Sequence, residues 1–138
     1  MSTENDAERP VRILLVEDES HIGRIIELSL PALGVPYEFA SALNAEEGLD
    51  LWQQRPFDLL ITDYNLRGMN GLRLVSILKE QGSTAPMILV TAYDSPQVAR
   101  EARALKISAY IPKPFFMDEM LETIRSLLPQ RSRAVNGY

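Results

Sequence analysis

Three carboxylates stand directly after short apolar, β-rich runs: Glu17 and Asp18 after Val11–Val16, and Asp63 after 58–62. Two later runs end in Thr91 and in the pair Lys113-Pro114. Taken singly, each reads as a helix cap or a solvated loop residue. Taken together, they describe a chemistry. Carboxylates gathered at one edge repel one another, and without a cation at least one must titrate above its ordinary range. A hard divalent ion relieves that repulsion, and an oxygen-only set without His or Cys suits Mg²⁺ or Mn²⁺. An aspartate beside such an ion can attack phosphorus and form an acyl phosphate. The transferring group then needs a cation on its other side and a hydroxyl donor, the roles open to Lys113 and Thr91.

These residues meet only if the segments before them lie side by side. Strand-like runs at Val11–Val16, 36–40, 58–62, 86–90 and 108–111 alternate with helical patterns at 20–33, 44–54, 70–81, 95–105 and 116–128. The near-continuous apolar runs suit parallel strands covered on both faces. Five such β-α units predict a doubly wound α/β fold, flavodoxin-like, with a parallel sheet in the order 2-1-3-4-5 and ligands at the carboxyl ends of its strands. Ser20, Asn44 and Ser95 are expected N-caps, with a capping box from Asn44 to Glu47 and Pro96 at a first helical position. Gly34 and Gly82 suit helix C-caps, Pro129 ends the last helix, and Pro31 should kink or shorten the first.

The 138 residues, with 46% apolar and 24% charged, support one ordinary domain. We expect it to occupy 11–129, between loose tails at 1–10 and 130–138. Without Cys there is neither a disulfide framework nor a thiol nucleophile. The longest apolar runs are four residues, and the polar start carries no apolar signal core, which predicts a cytoplasmic chain without a membrane partner. A net charge of −5 argues against nucleic-acid binding by this chain alone.

The run from Ile13 to Glu19 resembles the opening of a response-regulator receiver domain. So do Asp63-Tyr64-Asn65-Leu66 with Gly68-Met69-Asn70-Gly71, then Val90-Thr91-Ala92, then Tyr110 to Phe115. The resemblance extends from about Val11 to Leu128 and implies a phosphorelay role. It makes Asp63 the phosphoacceptor for a histidine kinase or histidine phosphotransfer protein, without turnover catalysis. Mg²⁺ would be held by Asp18, Asp63 and the Asn65 carbonyl, with Glu17 acting through water. Thr91 and Lys113 would grip the phosphoryl group, across a cis Lys113–Pro114 bond. Tyr110 would turn from exposed to buried and remodel the surface of helix four, strand five and helix five for a downstream protein or output domain. A phosphorylation-dependent homodimer is a further use of that face.

Several residues depart from the family pattern. Arg67 stands four residues after Asp63, where many receivers have Pro, and is read as solvated. Lys106 replaces the usual Gly before strand five, and Ala109 replaces an acid, which weakens the case for a charge-paired dimer. Tyr93, like Asn65, is expected to modulate the lifetime of the acyl phosphate. His21 is expected to be exposed and Trp52 to lie away from the site. Phe115, Phe116, Met117 and Met120 are expected in the core or facing a partner. A haloacid-dehalogenase-type phosphatase would need a second Asp where Asn65 stands. A flavodoxin-type carrier would place a phosphate against Glu17-Asp18-Glu19, and no Gly-rich nucleotide loop exists. The remaining alternative is a non-catalytic interaction module of the same fold.

Overall fold

Strand β1 (Val11–Val16) sends its side chains alternately into two apolar layers. Ile13 and Leu15 face one layer, Leu14 and Val16 the other, as the two-residue period of a strand requires. The same division holds in β3 (Leu59–Asp63), and in β4 (Met87–Thr91) Ile88 and Val90 face the first layer, Met87 the second and Leu89 a smaller cluster. A computed structural model describes residues 9–92 and 94–128. Tyr93, Pro129 and the expected tails, apart from Arg9 and Pro10, lie outside the described residues.

The five strands are all parallel, in the order β2-β1-β3-β4-β5, with β2 at Tyr37–Ala42 and β5 at Ala109–Pro112. Helices α1 (Ser20–Ser29) and α5 (Met117–Leu127) contribute Ile26, Met120 and Ile124 to one layer. Helices α2 (Ala45–Gln54) and α3 (Gly71–Glu80) contribute Trp52, Leu74 and Leu78 to the other. Helix α4 (Pro96–Ala104) adds a small cluster of Val98 and Ala102 with Leu72 and Leu89. The central strands β1, β3 and β4 therefore stay covered on both faces, while the edge strand β2 leaves Glu38 and Ser41 exposed.

Most expected caps form. Asn44 accepts from the Glu47 amide at 2.8 Å, and Ser95 accepts from that of Val98 at 3.2 Å with Pro96 following. Glu47 returns its carboxylate to the Leu43 amide at 3.0 Å, one residue outside the usual capping box. Gly34 and Gly82 take positive φ of 75° and 96°. Pro31 ends the first α-helix early: a 3-10 turn, Leu30–Leu33, replaces its last expected turn.

Other expectations need correction. Glu19, not Ser20, is the N-cap of α1, and no side chain caps it. Its amide donates to Glu17 Oε2 at 3.3 Å, so the acidic loop fixes where this helix begins. Asn70, expected inside α3, precedes it as the cap and accepts from the Arg73 amide at 2.9 Å. Strand β2 runs on to Ala42, because parallel pairing with Val16 and a 3.0 Å bond from the Glu17 amide continue the ladder past the apolar run. Lys106 adopts φ of 57°, a left-handed conformation that explains why glycine suits this turn.

Candidate functional site

Alternation along the strands decides which side chains meet. Glu17 continues the row of Ile13 and Leu15, and Asp63 continues that of Leu59 and Ile61. Neighbouring parallel strands thus deliver two carboxylates to the same side of the sheet edge. Both are buried, at 4% and 5% exposure, and Asp18 beside them is half-buried. Oxygens of Glu17, Asp18 and Asp63 lie within 4.8 Å of one another.

Lys113 reaches this edge from beyond β5. Its Nζ donates to Glu17 Oε1 at 3.2 Å and to Asp63 Oδ2 at 3.3 Å. The Lys113 amide donates to the Thr91 carbonyl at 2.7 Å, tying the cation's backbone to the end of β4. The following peptide bond, Lys113–Pro114, is cis as expected. Thr91 is fully buried at the last position of β4.

One lysine does not balance three carboxylates. Burial and the adjacent Asp63 charge push the Glu17 carboxyl up to about 7, against the opposing pull of Lys113 and the Glu19 amide. Burial by itself would lower Lys113, but the charges of Glu17 and Asp63 outweigh it and hold the ammonium above its ordinary range. The cluster has the oxygen-only donor set and the unrelieved negative charge that suit a hard divalent cation. Among the described residues, Glu17, Asp18 and Asp63 form a group that could hold such an ion.

The other expected residues sit around this centre. Asn65 is exposed, and its amide points back to Asp63 Oδ1 at 3.4 Å. Tyr110 is half-buried on β5, packs against the α4 cluster and donates its hydroxyl to Asp94 Oδ1 at 3.3 Å. Tyr93 lies outside the described residues. Arg67 and His21 are exposed as expected. Trp52 packs on Phe57 at 5.5 Å, in the layer of α2 and α3. Met120 enters the core, Phe115 and Met117 pack at its margin, and Phe116 is 82% exposed. Beside Lys113 lies an apolar groove of about 370 Å³, lined in part by Ile22, Ile25, Pro114 and Phe115.

Two residues near Asp63 were given no role by sequence reasoning. Thr62 is fully buried and donates its hydroxyl to the Asp63 carbonyl at 3.0 Å. Gly71 lies against that same carbonyl, where any Cβ would collide with the oxygen. Gly71 belongs to the Gly68-Met69-Asn70-Gly71 run, but spacing alone does not reveal a contact between a helix start and a strand end. Asp94, the partner of Tyr110, gave no sequence signal at all.

Residues 13–125 match the family model described as the response regulator receiver domain. The chain is 38% identical over 120 residues to the uncharacterized transcriptional regulatory protein YkoG of Bacillus subtilis, covering 86% of this chain and 51% of that one. It is 34% identical over 125 residues to the transcriptional regulatory protein PcoR of Escherichia coli, covering 89% and 53%. The chain thus spans about half the length of these curated relatives. Among solved structures, a CheY-like response regulator receiver domain protein from Methanospirillum hungatei superimposes with a TM-score of 0.81 at 29% identity, covering 91% and 98% of the two chains. The chemotaxis protein CheY4 of Vibrio cholerae gives 0.77 at 27% identity, covering 86% and 99%.

Proposed function

The chain belongs to the response regulator receiver domain family, and from that premise we propose that Asp63 accepts a phosphoryl group from a phosphohistidine on a histidine kinase or phosphotransfer protein. The observation that carries this reading is the Glu17–Lys113–Asp63 bridge, with a third carboxylate beside it and Lys113 the one cation bonded to them among the described residues. In the transfer, an Asp63 carboxylate oxygen forms a bond to phosphorus. The P–N bond to the donor imidazole breaks, and the electron pair leaves with that nitrogen. Lys113, already held against Asp63, moves with the developing charge, and the Thr91 hydroxyl donates to a phosphoryl oxygen. Asp18, Asp63 and the Asn65 carbonyl would hold Mg²⁺, with Glu17 acting through water. When bound, the ion supplies charge neutralisation for the attacking carboxylate and the phosphoryl oxygens. The exposed side chain of Ile25, at the apolar groove beside Lys113, offers a helical donor a surface to rest on.

Phosphorylation raises the charge on this side chain from −1 to about −1.5 to −2 and adds three strong acceptors. Following them with its hydroxyl, Thr91 draws in the end of β4, and Tyr110 leaves Asp94 for the space behind it. The changed α4–β5–α5 face then binds a downstream protein, an output domain or a second copy. The size of the shift is set by the differential affinity of the phosphoryl group for the two arrangements.

Intact mass after incubation with acetyl phosphate and Mg²⁺ tests the transfer. Wild type should gain one hydroxylamine-labile phosphoryl group only with metal, and Asp63→Asn should gain none. A gain in Asp63→Asn equal to that of wild type would remove Asp63 from the role. If wild type gains nothing, failure to bind beryllofluoride would favour the non-catalytic module.

A further inference from the structure

The acceptor aspartate must be held by its backbone as well as by its side chain, because an adjacent carbonyl is asked to serve the same site. The Asp63 carbonyl oxygen is enclosed from two sides. The Thr62 hydroxyl donates to it at 3.0 Å, and the Cα of Gly71 lies so close that a Cβ there would overlap it. That Cβ would also stand 3.0 Å from the Asp63 carbonyl carbon and 3.1 Å from Thr62 Oγ1. The obstruction is therefore mostly backbone, which cannot swing aside as a flexible side chain would.

The same glycine closes the loop that follows the acceptor. Its amide donates to the Tyr64 carbonyl at 2.9 Å, while the Tyr64 amide donates to the Val90 carbonyl at 2.8 Å. Segment 64–70 leaves β3 and is returned to that strand's end at Gly71, with Asn70 capping α3 through the Arg73 amide. Asn65 lies inside this closed segment, and its own amide reaches Asp63 Oδ1 at 3.4 Å. The start of α3 thus sets the height of the Asp63 peptide and the path of the chain through Asn65. Gly71 is not required here by an unusual φ, since among the described residues the positive-φ glycines are Gly34, Gly68 and Gly82. Close approach alone requires it.

We infer that Gly71, with Thr62, is a positioning residue for the divalent-cation site, locking the Asp63 and Asn65 backbone so that their oxygens converge on one ion. This rests on the metal-dependent reading above. Displacing either oxygen by even a fraction of an ångström is costly for Mg²⁺, which demands near-ideal octahedral geometry.

The test is Mn²⁺ binding at pH 8, measured by titration on the full chain carrying Gly71→Ala, Thr62→Val or Gly82→Ala. Gly82 lies just past the other end of α3, where a Cβ meets nothing but the φ of 96° is strained for alanine. It reports what general destabilisation of that helix does to the site. Gly71→Ala should weaken Mn²⁺ at least tenfold, Thr62→Val several-fold, and Gly82→Ala less than twofold, all with unchanged far-UV circular dichroism. Wild-type affinity in Gly71→Ala, or an equal loss in Gly82→Ala, overturns the inference while leaving the metal reading intact. Should Gly71→Ala not fold, Thr62→Val decides alone: unchanged affinity there overturns it. A wild-type chain that binds no Mn²⁺ removes the metal reading, and the inference falls with it.

Discussion

The two ends of the sheet treat charge in opposite ways. At the amino end, Arg12 is fully provided for. Its guanidinium donates to Glu38 Oε1 at 2.7 Å and to the carbonyls of Pro56 and Arg55 at 3.2 Å, and it stacks 4.4 Å from the centre of the Phe57 ring. Its amide donates to Asp58 Oδ2 at 2.8 Å, so one residue pins β1 to the neighbouring strand and to the segment before β3. At the carboxyl end, Lys113 must serve both Glu17 and Asp63 with Asp18 nearby, and the Glu17 carboxyl is driven up to about 7. The difference separates charge that holds the fold from charge that is kept for use. A matched network has nothing left to offer a ligand, whereas an edge with excess negative charge has the electrostatics that attract a cation.

Three substitutions sharpen this contrast. Lys113→Met should have the largest effect, destabilising the metal-free chain by about 3 kcal/mol at pH 8, because it leaves two buried carboxylates facing each other. Urea unfolding at pH 8 and pH 5.5 would check it, the loss shrinking at the lower pH as Glu17 takes up a proton. Arg12→Ala should cost about 2 kcal/mol through lost hydrogen bonds and packing on Phe57. Unlike Lys113→Met, it should leave Mg²⁺ affinity within twofold of wild type by calorimetric titration; a larger change would couple the two ends.

Glu17→Gln should act in the opposite direction and least strongly. The folded carboxyl lies above its ordinary value of 4.5, so the folded chain binds the extra proton between about 4.5 and 7. Stability is therefore fully present below 4.5 and is lost as pH rises through 7. Replacing the acid with a neutral amide should stabilise the metal-free chain by about 1 kcal/mol at pH 8 and change little below pH 4.5. Thermal unfolding across that range would show wild type losing stability with rising pH more steeply than the variant.

The strand ends were the most legible part of the molecule. Apolar runs that stop at Glu17, Asp63, Thr91 and Lys113 announce both a covered parallel sheet and the edge where its chemistry collects. Side-chain caps at Asn44 and Ser95 were readable because the hydrogen bond is local, although the equally local Asn70 cap was not named. Features set by distant backbone were not. Ser20 looked like a cap, yet the Glu17 carboxylate takes the Glu19 amide and moves the helix start. The last residues of β2 carry no apolar signal and are strand only because β1 lies beside them. Gly71 against the Asp63 carbonyl, and Tyr110 on Asp94, depend on elements brought together by the fold. Local pattern records what each segment does alone, and these contacts belong to pairs.

The most direct test of the unmatched edge is a Mg²⁺ titration of the wild-type chain at pH 8, followed by backbone amide NMR. One saturable set of shifts at residues 17–19, 63–65, 91–92 and 113, with residues 12, 38 and 55–58 unmoved, is the predicted result. The absence of any saturable shift at the carboxyl end, or equal shifts around Arg12, would contradict the account.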